Sequence, residues 1–80
     1  MEPIQEKIKE MFLRIFPELT SDTFDFTRTQ DQFEQWDSFS HMQLVAAVEQ
    51  DHGVTLQMEE IVAIRTPQDF VELVKKKKAL

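Results

Sequence analysis

Eighty residues make one small domain, able to bury about 60% of the surface its unfolded chain exposes, which allows a helical core and excludes a deep enclosed catalytic cleft. Fifteen acidic residues stand against nine basic ones, and four of the nine are the consecutive lysines 75–78, so residues 1–74 carry five basic against fifteen acidic side chains. Such a body repels phosphate backbones, which excludes nucleic acid as the expected partner and points to proteins with basic docking surfaces.

The first predicted helix covers residues 3–16. Pro3 suits the first helical position, Ile4, Ile8, Met11, Phe12 and Ile15 recur at helical spacing, and Pro17 ends the run. Glu10 and Arg14, four residues apart, are placed to pair on its outer face. Residues 17–37 show no period, and a loop of that length inside a small domain has to be packed down. Leu19, Phe24, Phe26, Phe33 and Trp36 are its candidate anchors.

The second predicted helix covers 38–51, with Asp37 or Ser38 as its cap. Phe39, Met42, Val45, Ala46 and Glu49 follow one helical line, Leu44 and Val48 flank it, and Gly53 falls where a left-handed cap belongs. His52 near that end favours the helix dipole when protonated. Val54 and Leu56 then tuck back onto the core. Residues 58–64 open with Glu59 and Glu60 as a short helical turn. Thr66 as cap, Pro67 at the first position and Asp69 in the first turn begin a last helix, whose apolar stripe is Phe70, Leu73 and Val74. Its lysines complement the C-terminal dipole, and 75–80 reads as a basic, frayed tail. The expectation is an all-α four-helix bundle forming one domain over 1–80.

Several chemistries fall away. The absence of cysteine excludes disulfides, thiolate nucleophiles and cysteine zinc sites. Ser38 with His41 three residues on lacks the glycine elbow, the oxyanion hole and the orienting third group of a serine hydrolase. His41 and His52 are too far apart on one helix to chelate one ion, and Asp22, Asp25 and Asp31 lack the spacing of a calcium loop. No metal site and no intrinsic enzyme activity are expected. The opening MEPIQEKIKE lacks the basic-then-apolar order of a signal peptide, and no apolar run reaches membrane-spanning length. A cytoplasmic monomer without stable membrane insertion is the expectation.

Asp37-Ser38-Phe39, followed by Leu44-Val45-Ala46-Ala47-Val48-Glu49 and Gly53-Val54, resembles the Asp-Ser-Leu segment and second helix of acyl carrier proteins. The likeness runs from 33 to 74, and the order of long helix, long loop, helix, short helix and final helix agrees with it. It implies 4′-phosphopantetheine from coenzyme A carried on Ser38, with Asp37 supporting. It also implies a phosphopantetheinyl transferase that brings the base and the magnesium, and acyl cargo held as a thioester in fatty-acid or specialised lipid or secondary metabolism. Loading ligases or synthases would be further partners.

Departures bear on partner choice. Glu34-Gln35-Trp36 stands where a leucine-glycine pair is common, Ser40 and Gln43 replace two acidic residues, and Phe39 replaces a leucine. This points to a dedicated carrier of a specialised pathway, docking through Trp36, Phe39, Met42, Gln43, Glu49, Glu59 and Glu60. The alternatives are a peptidyl or aminoacyl carrier, and an acidic helical interaction module in which Ser38 only caps a helix.

Overall fold

Phe12 is the hub on which the fold is assembled. In the computed structural model, which describes residues 2–79, its ring meets those of Phe16, Phe24, Phe33, Trp36 and Phe70 at centroid separations of 5.2–6.0 Å. Edge-on and tilted aromatic packing of this kind adds to the gain from burial alone. Helix α1, Pro3–Ile15, carries it together with the buried Ile8 and Met11. Helices α2, Ser38–His52, and α4, Pro67–Lys78, both pack against α1 and touch each other, and α3, Met58–Ala63, is the short fourth member. The described residues are otherwise loops and one 3-10 turn at Gln30–Gln32, so the molecule is an all-α bundle of four helices.

The helix ends follow local rules. Thr66 Oγ1 accepts the Asp69 amide (3.1 Å), and Asp69 Oδ2 accepts the Arg65 (2.8 Å) and Thr66 (3.1 Å) amides in return. Gly53, at φ +64°, closes α2 in the left-handed conformation. The long loop is anchored by Phe33 and Trp36, both buried, and by Leu19, Phe24 and Phe26, which pack on the core. It is also stitched across: the Gln30 amide donates to the Arg65 carbonyl (2.7 Å) and the Gln68 amide to the Phe26 carbonyl (3.0 Å). The 3-10 turn was not anticipated, although Thr29 and Gln32, whose side chain accepts the Thr29 amide (3.1 Å), form the spacing that signals one.

Four sequence expectations change. Arg14 pairs with Asp51 of α2 at 3.3 Å rather than with Glu10, tying two helices together. The lysine run is helical through Lys78 rather than frayed, because Lys75 pairs with Glu2, and Lys77 with Glu60 at 2.8 Å. His52 is buried, and the desolvation, helped by Lys7 and Lys78, pushes its imidazole below its ordinary value against the pull of Asp51. The buried row of α2 is Ser40, Leu44, Val45, Val48 and His52, which leaves Phe39, Met42 and Ala46 in solvent. That helix is apolar on two faces, so its periodicity does not say which one the core takes.

Candidate functional site

Asp37 is the cap of α2 and Ser38 its first helical residue. The two roles left open by the sequence are thereby separated. Asp37 Oδ1 accepts the Ser40 amide (2.9 Å), and Ser40 Oγ accepts the Asp37 amide (2.9 Å), a reciprocal box across the first turn. The Ser40 hydroxyl is also within donating distance of the Gln35 carbonyl (2.9 Å) and of Asp37 Oδ1 (3.1 Å). Ser40 is accordingly buried, its side chain engaged within the first turn and with the Gln35 carbonyl. The Ser40 amide, then its hydroxyl, hold the Asp37 carboxyl below the usual carboxylate range.

With the cap supplied by its neighbours, Ser38 is exposed, and among the described residues no hydrogen bond engages its hydroxyl. A phosphodiester fits this position. Ser38 is an exposed residue, and the first turn of a helix is the end whose dipole favours negative charge.

His41 cannot serve as a base for Ser38. The Trp36 indole N–H donates to His41 Nδ1 (2.9 Å) and His41 Nε2 meets the Ile61 carbonyl (2.8 Å), which assigns the Nε2-protonated tautomer and occupies both ring nitrogens. Its ring also stacks on Trp36, centroids 5.8 Å apart. Trp36 is 4% exposed, so the expectation that it joins a docking patch gives way: it plugs the loop into the core and orients His41. No sequence signal reveals this triad, because Ile61 lies twenty residues from His41.

The remaining proposed contacts are scattered in environment. Phe39, Met42, Gln43 and Glu59 are exposed. Glu49 accepts the Leu56 amide (2.9 Å) and so holds the α2–α3 connection. Glu60 accepts the Gln57 amide (2.7 Å) and pairs with Lys77, whose hydrogen bond is the main cause holding the Glu60 carboxyl below its ordinary value. Among the described residues no three His, Asp or Glu side chains cluster as a metal site, and no helix is long and apolar enough to cross a membrane.

Residues 6–74 match the family model of the phosphopantetheine attachment site, and the chain belongs to that family, whose members carry covalently attached 4′-phosphopantetheine. Comparisons with curated proteins and with solved structures return no significant match.

Proposed function

We propose that the chain is an acyl carrier in which Ser38 bears the phosphopantetheine. The observation that carries this reading is the exposed, unengaged Ser38 hydroxyl at the first position of α2, with capping delegated to Asp37 and Ser40. The Ser38 oxygen takes over the phosphate from coenzyme A, displacing its nucleotide half, and surrenders its proton to a base on the transferase, since His41 is occupied within the bundle. The bound group supplies a terminal thiol on which an acyl chain is held as a thioester. Asp37, kept ionised by its cap hydrogen bonds, stands beside Ser38 as a contact for the transferase or its magnesium.

In this reading the chain is a single non-catalytic domain, monomeric and cytoplasmic, serving a specialised acyl pathway. Phe39, Met42, Gln43 and Glu59 are the side chains left free to meet the transferase and the loading enzymes, whereas Glu49 and Glu60 are held by internal partners. Co-expression with a broad-specificity phosphopantetheinyl transferase, followed by intact-protein mass spectrometry, is expected to show one added phosphopantetheine. A Ser38→Ala protein is expected to keep its helical circular dichroism and gain nothing. An unmodified wild-type chain rules the reading out. Loading trials with candidate acids and amino acids then separate acyl from aminoacyl cargo.

A further inference from the structure

The long loop leaves α1 at Phe16 and folds over a groove of about 340 Å³, within the size range of small-ligand sites. Its floor is apolar: Phe16 and Phe33 are buried with their rings stacked at 6.4 Å, and Leu19 packs on the core. Arg28, half-buried, lays its guanidinium over the Phe33 ring at 5.7 Å. Among the described residues no hydrogen bond or ion pair engages that guanidinium. Asp25, three residues before it, is taken up by the Thr27 amide (2.8 Å) and hydroxyl (2.7 Å). Exposed Glu18, Glu34 and Gln35 stand at the rim, and among the described residues no hydrogen bond holds their side chains.

This lining selects against simple ions. A free anion that pairs with Arg28 faces Glu18 and Glu34, and a free cation between those carboxylates faces Arg28. A neutral chain that alternates N–H and C=O groups suits both, its carbonyls taking the guanidinium donors and its N–H and O–H groups the carboxylates. Carbon between those groups then covers Phe33 and Leu19. The groove also borders the candidate attachment site. The Gln35 carbonyl accepts the Asp37 amide (3.1 Å) and the Ser40 hydroxyl (2.9 Å), so the rim is bonded to the turn that carries Ser38. Ser38 follows Gln35 by three residues, at most about 11 Å of chain.

Resting on the reading of Ser38 as the attachment point, we propose that the pantetheine arm, when no enzyme holds it, folds back into this groove under the long loop. The arm has the required chemistry, because it is an uncharged chain of amides with a hydroxyl and a dimethyl-substituted carbon. Arg28 supplies the donor for an amide carbonyl, Glu18 and Glu34 supply acceptors for N–H and O–H, and Phe33 and Leu19 supply the surface for the methyl groups. The side chains that take the arm are otherwise unengaged, so docking breaks no bond within the bundle. The groove thereby holds the arm on the loop side of Ser38 until an enzyme draws it out.

The test is nuclear magnetic resonance of the full chain, isotope-labelled and converted from apo to holo with coenzyme A and a broad-specificity phosphopantetheinyl transferase. In the holo wild type, amide shifts are expected to change at Leu19, Arg28 and Glu34 as well as around Ser38. The arm's methyl protons are expected to show nuclear Overhauser contacts to the Phe33 ring. Arg28→Ala, shown by mass and circular dichroism to be modified and folded, is expected to lose those contacts as the docked-to-free ratio falls about tenfold. Lys76→Ala, on α4, is expected to keep them. An arm with the shifts and mobility of free pantetheine, one whose contacts lie on α2 and α3, or one that stays docked in Arg28→Ala overturns the groove while leaving the carrier reading intact. A wild-type chain that never gains the arm overturns both.

Discussion

Ser40 sits two residues beyond Ser38, the proposed attachment point, yet it belongs to the architecture and not to the surface. Its hydroxyl accepts the Asp37 amide and reaches the Gln35 carbonyl, so Ser40→Ala strands two backbone groups at once. The expected loss is about 1–2 kcal/mol, read from urea unfolding, with Ser38 still modified in the folded protein. Trp36→Phe should likewise cost about 1–2 kcal/mol, because the ring still fills the core but His41 Nδ1 loses its donor. These two residues mark where reading residue by residue succeeds and fails. A cap at Asp37 or Ser38 was legible because capping is decided within four residues, and the structure gives it to Asp37. The burial of Trp36 was not, because it depends on where a loop of some twenty residues comes to rest and on a carbonyl contributed by α3.

The helix starts were legible to within a residue, and for the same local reason: Pro3, Thr66 and Pro67 are start signals and Gly53 a stop signal that act on their own neighbours, whereas the end of α4, which runs on through Lys78, was not. Gly53→Ala is expected to cost about 1 kcal/mol, since a Cβ there meets nothing within 4 Å and the whole penalty is the left-handed backbone. Thermal unfolding followed by circular dichroism would measure it. The inward face of α2 was not legible. Its apolar residues surround most of the helix, and only packing against α1 decides that Leu44 and Val48 go inside while Phe39 and Met42 stay out. The error carries information, for a helix apolar on a second face has a second surface to cover.

Over the whole molecule, charge and burial set a two-stage response to acid. His52 titrates below its ordinary value, so the unfolded chain takes up that proton more readily and stability declines as the pH falls below about 6.5. The carboxyls of Asp25, Asp31, Asp37 and Glu60 are held low by hydrogen bonds, chiefly from Thr27, Thr29, Ser40 and Lys77. The stability they lend is present above about pH 4 and is lost as the pH falls through their lowered values. Urea midpoints between pH 7 and 5 should therefore decline in the wild type and stay flatter in His52→Gln, while both proteins weaken below pH 4.

The stitch between the long loop and the start of α4 has a consequence for how the molecule breathes. The amide protons of Gln30 and Gln68 are each held by a carbonyl from the opposite segment, Arg65 in one case and Phe26 in the other. Neither can exchange with solvent deuterium unless the loop lifts from the bundle, so the two should exchange at matched rates, as one cooperative opening. Phe12→Leu, which trims the ring on which Phe24, Phe33 and Trp36 converge, should quicken both together. The pair would serve as a built-in clock for the segment that delivers Asp37 and Ser38 to the surface.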